Sequence, residues 1–201
     1  MTFTIQHYPV YLIDVVEVAT GRRATVRPVL PQDAEPLRAF FGALSEEARY
    51  FRFMTKLREL PKELAERFAC IDYCSHMALV AEHFIDDCGT IVGEARYVAN
   101  EVNPNTCEFS IAVADDWQRL GLGRMLLGRL LSHATAAAKC WMAAEAISTN
   151  KAMIEFAKPA GFSAGLSPKD GCLRRLTEDL ARPLAPHTQA ARIKTLPAQT
   201  V

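Results

Sequence analysis

The sequence has no excess of charge. Its 23 Lys and Arg are matched by 23 Asp and Glu, so the formal net charge at pH 7 is zero. Phosphate contacts supply most of the non-specific affinity of a nucleic-acid binder, so no nucleic-acid partner is expected. No apolar run approaches the roughly 20 residues of a membrane-spanning helix. The N-terminal stretch MTFTIQHYPVYLIDVVEV has no basic start and contains acids, so neither a membrane anchor nor a signal peptide is read there. There is no Cys-x-x-Cys among the six cysteines, and only Cys70 and Cys74 lie close together. Zinc-ligand spacing is therefore missing and no metal site is expected. Most of the cysteines sit in apolar or mixed segments, where a thiol behaves as a small hydrophobe, so a reduced, cytoplasmic protein is expected. Internal repeats and low-complexity tracts are also lacking.

What is present is a large apolar fraction, 50% of 201 residues, enough for one domain with a real core. YLIDVVEVATGRRATVRPV reads as two strands around a turn at Thr20–Arg22. Leu37, Phe40, Phe41 and Leu44 then follow helical spacing. Ser45 followed by Glu46 and Glu47 predicts a new helix start, and Pro61 opens another helix running to about Cys70. HMALVAEHF, TIVGEARYV and TCEFSIAVA read as an antiparallel meander, because the turns between them are too short for parallel connections. A long helix from about Gly121 to Ala138 leads into the apolar strand CWMAAEAI. That strand–helix–strand crossover makes the flanking strands parallel and the sheet mixed. A helix from Asn150 to Lys158 stops before Pro159, and GFSAGL with GCLRRLTEDL forms a closing hairpin. We expect an N-terminal strand or extension over 1–22, the main domain over 23–181 and a loose tail over 182–201.

The chemistry concentrates in AVADDWQRLGLGRML, where a strand ends and a helix begins among glycines. A helix N-terminus carries free N–H groups and the positive end of the helix dipole. Glycines let an anion come close to that backbone, and Arg119 and Arg124 flank the turn. A glycine-tolerant tight turn without a ligand is the competing reading. The terminal Gly-Lys-Ser/Thr of a Walker loop is missing, and Leu126 occupies the third glycine position of a dinucleotide fingerprint.

Gln118-Arg119-Leu120-Gly121-Leu122-Gly123 resembles the Gln/Arg-x-x-Gly-x-Gly/Ala signature of the GNAT superfamily of N-acetyltransferases. The strand before it, the helix and strand after it, and the following NKAMIEFAKPAGF fall in the family's order over about residues 23–180. The resemblance implies an α/β (α+β) GNAT fold, a mixed, mostly antiparallel sheet with a splayed parallel pair and flanking helices. A narrower likeness runs through TVRPVLPQDAEPLRAFFGALSEEARYFRF, DYCSHMALVA, IVGEARYV and CEFSIAVADDWQRLGLG. It is to the acetyltransferase domain of bacterial Pat-type protein lysine acetyltransferases. In that family the domain is fused to an acyl-CoA-synthetase-like or a cyclic-nucleotide region. With only about 20 residues before the domain, neither is expected here, which puts the family's regulation in question.

Carried over by resemblance, acetyl-CoA lies between the strands at 108–114 and 141–147. Backbone groups of Ile111, Ala112 and Val113 would hold its pantetheine arm. Gln118, Arg119, Leu120, Gly121, Leu122, Gly123 and Arg124 would hold its pyrophosphate. Asn150 either touches the cofactor or caps its helix. Strand alternation puts Phe109, Ile111 and Val113 on one face and Glu108, Ser110 and Ala112 on the other. The resemblance makes Glu108 the base; a strand-end glutamate facing solvent or an arginine is the alternative. The family's acid is often a tyrosine in the next helix, and Phe156 stands in that region, so no general acid is assigned. Cys107 and Cys140 sit in apolar surroundings, and no covalent intermediate is expected. The acceptor is an amine, either a protein lysine or a small molecule, and a homodimer is possible. Arg49, Arg52, Lys56 and Arg58 make one wall of the expected acceptor groove basic, which favours an acidic or protein acceptor over a polyamine; a solvated basic face is the competing and simpler reading of that run. A catalytically weak acyl-CoA-binding regulatory module is the reading from another class.

Overall fold

A computed structural model describes residues 8–181; the expected tail over 182–201 lies outside them. The strands are β1 (Asp14–Glu17), β2 (Arg23–Pro28), β3 (His76–Ile85), β4 (Cys88–Ala99), β5 (Thr106–Val113), β6 (Trp141–Ile147), β7 (Ser163–Leu166) and β8 (Leu173–Asp179). They form one eight-stranded sheet in the order β1-β2-β3-β4-β5-β6-β8-β7, in which only β5 and β6 run parallel. The helices are α1 (Ala34–Ala43), α2 (Glu46–Phe53), α3 (Lys62–Ala69), α4 (Leu122–Ala136) and α5 (Lys151–Ala157). Among the described residues no helix is long and apolar enough to cross a membrane.

The apolar sequence of β3 follows from burial on both faces. Met77, Leu79 and Ala81 pack with Leu122, Leu126 and Leu130 of α4 on one side. Ala78 and Val80 pack with Leu37, Phe40 and Phe41 of α1 on the other. The β3–β4 turn places Asp86 and Asp87 at φ 48° and 62°, the left-handed pair that a two-residue hairpin requires. Two boundaries differ from the sequence reading. Val10–Leu12 forms a 3₁₀ turn, so β1 starts only at Asp14. Pro159 lies inside a 3₁₀ turn, Lys158–Ala160, that extends α5; its missing N–H is tolerated at the start of such a turn.

The α1–α3 side also buries charge. Glu94 of β4 is 0% exposed and accepts from Arg96 Nε and, at 3.3 Å, from Arg52 Nη2 of α2. Arg52 is ringed by Phe41, Phe53 and Phe68, with centroids 5.1–5.6 Å away, and Arg96 stacks 3.8 Å from the Phe68 centroid. Arg96 Nη1 also donates to Phe68 O at 3.3 Å and to His76 Nε2 at 3.0 Å. Burial first, then the Arg96 charge, pushes His76 down to about 4, against the opposing pull of Glu94 and Asp72.

A histidine held neutral in this way takes up a proton on unfolding. Its contribution is full above the unfolded value of about 6.5 and is lost as pH falls towards 4, at up to about 1.4 kcal/mol per pH unit. His76→Gln retains an acceptor for Arg96 and is expected to flatten the fall in urea-unfolding free energy between pH 6.5 and pH 4.5. An unchanged slope in the variant would refute this assignment.

Candidate active site

β5 and β6 share a ladder of only three pairs, Thr106↔Trp141, Cys107↔Met142 and Glu108↔Ala143. β4 continues along β5 to Val113, and β8 continues along β6 to Ile147. Each strand of the parallel pair is thus held by its outer neighbour while their inner edges diverge beyond Glu108. Backbone hydrogen-bonding groups on those edges are left without ladder partners, which is the arrangement an extended amide-bearing ligand needs. Ile111 and Val113 pack against the α4 core, whereas Ala112 packs against the α1–α3 core.

The loop from β5 to α4 is fixed from several sides. Trp117 is 1% exposed, and the Arg22 guanidinium stacks 3.9 Å from its ring centroid. Arg22 also bonds Asp116 O at 3.2 Å and Asp116 Oδ2 at 3.0 Å, while the Ala19 N–H donates to Leu120 O at 3.2 Å. Asp115 accepts from the Ser45 backbone N–H at 2.9 Å and from its hydroxyl at 2.8 Å. Ser45 in turn accepts from the Ala48 N–H and caps α2. The β1–β2 turn and the start of α2 therefore both hold this loop.

The two glycines of the loop do different work. Gly121 adopts φ 96° at the N-cap of α4, and a Cβ there would meet nothing within 4 Å. Its glycine is set by backbone conformation, and its outer side is open. No side chain caps α4, and the first intrahelical bond runs from the Met125 N–H to Gly121 O at 3.2 Å. The N–H groups of Leu122, Gly123 and Arg124 thus precede the helical ladder. A Cβ on Gly123 would lie 3.3 Å from Phe156 Cε2 and 3.6 Å from Val113 Cγ2. Gly123 therefore lets α5 and β5 approach α4, and the clearance expected of both glycines belongs to Gly121. Arg119 and Arg124 are exposed beside the turn, and Leu122 is fully buried, so only its backbone can face a ligand. The Gln118 amide turns back to Val113 O at 3.1 Å and Asp115 Oδ1 at 3.4 Å. Asn150 Oδ1 accepts from the Met153 N–H at 3.0 Å; of its two readings, the structure displays the cap.

Where the parallel strands part, four charged side chains meet. Arg175 Nη1 of β8 lies 2.7 Å from Glu145 Oε1 of β6 and 3.4 Å from Glu108 Oε1 of β5. Lys169 Nζ approaches Glu108 Oε1 at 3.9 Å. The Glu108 side chain is 44% exposed, that of Glu145 only 10%. Sequence reasoning passed over Glu145 and Arg175. The signal for Glu145 was there, an acid within the otherwise apolar WMAAEAI.

Other candidate groups are otherwise engaged. Burial pushes the Cys107 thiol up to about 12, which suits a core residue and not a nucleophile. His133 bonds the Tyr97 hydroxyl at 2.9 Å inside the core, and His83 Nδ1 lies 2.7 Å from Arg23 O. The basic wall is a correction. Arg49 spends its guanidinium on the carbonyls of Gly42, Leu44 and Leu57, and Arg52 is buried on Glu94, which leaves Lys56 and Arg58 as the exposed cations of the four.

The sequence profile of the Acetyltransferase (GNAT) family matches residues 41–162. Acetyltransferase PA5475 of Pseudomonas aeruginosa is 33% identical over 150 residues, 75% of this chain and 80% of that protein. Acetyltransferase Pat of Mycolicibacterium smegmatis is 32% identical over 140 residues, 69% of this chain; the match spans 40% of that longer protein. Among solved structures, the GNAT domain of S. lividans PAT superposes with a TM-score of 0.78 at 26% identity, covering 86% of this chain and 99% of that one. At 21% identity and a TM-score of 0.62, the structure of yncA from Salmonella typhimurium with its cofactor acetyl-CoA shares the fold over 81% of this chain and 97% of its own. With its splayed parallel strands and glycine-bearing turn, the chain belongs to the acetyltransferase (GNAT) family.

Proposed function

We propose that the chain transfers an acetyl group from acetyl-CoA directly to an amine, and that the amine is a protein lysine. The observation that carries this reading is the three-pair β5–β6 ladder, which ends at Glu108 and leaves β5 open towards Val113, next to the uncapped N-terminus of α4. The unladdered edge at Ile111–Val113 suits the amides of a pantetheine arm. The open side of Gly121 and the free N–H groups after it suit a pyrophosphate, with Arg119 and Arg124 adding charge. Gln118 and Asn150 support that loop and the following helix through the bonds described above. The bound thioester supplies the activated acetyl group; the protein orients it and manages the acceptor's proton.

That proton is the difficulty. A lysine amine near pKa 10.4 is neutral in only about 1 molecule in 2,500 at pH 7. Glu108 stands where the strands part, ionisable and exposed enough to receive a proton directly or through water. Its position at an open mouth suits a side chain presented by another protein, which favours lysine over a small amine. Phe156 packs on Gly123 and offers no proton, so the leaving thiolate takes its proton from water.

Incubation with acetyl-CoA and a panel of lysine peptides and small amines, following free thiol, is expected to give acceptor-dependent release that is fastest with peptides. Release only with small amines would move the acceptor to that class. Acetyl-CoA binding without release for any acceptor would establish a binding module instead.

A further inference from the structure

Glu145 is not used in the reading above, and its surroundings are unusual. Its side chain is 10% exposed, one oxygen is bound by Arg175 at 2.7 Å, and the other, Oε2, is buried with no hydrogen-bond partner among the described residues. Buried carboxylate oxygens are normally satisfied, because leaving one bare forfeits its hydration without return. Glu145 lies two residues beyond Ala143, which pairs with Glu108, so it stands just inside the divergence of the strands. Arg175, opposite Glu145 in the β6–β8 register, touches both acids with the same nitrogen. Two carboxylates thus share one well-placed cation. Among the described residues one further cation reaches them: Lys169, 64% exposed, lies 3.9 Å from Glu108 Oε1. The two acids are thus met by one close cation and one exposed cation at the edge of pairing distance, and one buried acceptor oxygen is left without a donor.

We infer that Glu145 is the group that binds the acceptor as a cation: its free oxygen receives an N–H of a primary alkylammonium beside Glu108. An ammonium offers three donors. One can be held by Glu145 while another is given up to Glu108, so the two acids divide holding from deprotonation. Arg175 holds the other oxygen of Glu145 at 2.7 Å and so fixes the carboxylate beside Glu108. The inference rests on the acetyl-transfer reading for its catalytic meaning, but the binding it describes can be measured without turnover.

The test uses the full chain and Glu145→Gln, which retains an oxygen for Arg175. n-Butylammonium titrated into protein saturated with coenzyme A is expected to bind the wild type and to bind the variant about tenfold more weakly, the loss of one charge-assisted hydrogen bond. With acetyl-CoA, KM for an Nα-blocked lysine amide is expected to rise about tenfold while KM for acetyl-CoA holds. Turnover of trifluoroethylamine, uncharged at neutral pH, is expected to be little changed. Equal binding of butylammonium to both proteins, no binding to either, or a fall in kcat with both KM values intact would overturn the role. If the variant does not fold, competition in the wild type decides: n-butylammonium should compete with the lysine amide and n-butanol should not, and equal behaviour of the two overturns the inference. Absence of thiol release with every amine would instead sink the acetyl-transfer reading, leaving the butylammonium titration to judge Glu145.

Discussion

Glu108→Gln is expected to lower kcat about 10²- to 10⁴-fold near pH 7 while leaving the affinity for acetyl-CoA unchanged. The range is what a positioned base contributes, and in the proposed role that base removes the proton that almost every lysine carries at that pH. Structural damage should be small. The Glu108 side chain is 44% exposed and its bond to Arg175 is 3.4 Å long, whereas Arg175 keeps Glu145 at 2.7 Å after the change. The β5 backbone at Ile111–Val113 and the turn at Gly121 lie beyond Glu108 and do not use its side chain. The rate of the variant should then climb with pH as the free-amine fraction grows, about tenfold per unit below the amine pKa. Wild-type and variant rates that coincide from pH 6 to pH 9 would remove Glu108 from the mechanism.

Much of this geometry follows from local signals. Strand, turn and helix in TCEFSIAVADDWQRLGLGRML are each written in a short window, and the crossover rule then makes β5 and β6 parallel. The split role of the glycines was not local. Gly121 is explained by its own φ of 96°, but Gly123 is explained by Phe156, 33 positions away. The same holds for charge. Arg49 and Arg52 look like a solvated basic face when read along α2, because their partners are backbone carbonyls and a glutamate 42 positions on. Glu108, Glu145 and Arg175 meet only because β5, β6 and β8 are neighbours in the sheet. An acid in an apolar strand announces that a partner must exist; only the strand order says which one. Glu94 in TIVGEARYV gave the same announcement.

Glu94→Ala is expected to be the most destabilising of these changes, about 3–5 kcal/mol, because it leaves charge buried without compensation. Glu94 is 0% exposed, and the Arg96 and Arg52 side chains it serves are 4% and 8% exposed. Arg52 Nε and Arg96 Nη2 already lack hydrogen-bond partners among the described residues, and the rings of Phe41, Phe53 and Phe68 provide only partial relief. Without Glu94, two guanidinium groups would face each other beside a histidine that is itself held neutral. A loss of that size is a large fraction of the roughly 5–15 kcal/mol that stabilises a domain. The same physics makes a second, opposite expectation. Replacing Arg52, Glu94 and Arg96 together by methionine removes the desolvated charges as well as their attraction, so the triple variant should be more stable than Glu94→Ala alone. Urea midpoints at constant m-value read both differences. A loss below about 1 kcal/mol in the single variant, within the range of an exposed pair, would show that the cluster is solvated. A triple variant weaker than the single would show that the ion pairs are net stabilising. The site should register the change too: α2 carries Arg52 at one end and, through Ser45, grips Asp115 in the β5–α4 loop at the other, so freeing α2 from β4 loosens the turn that presents Gly121.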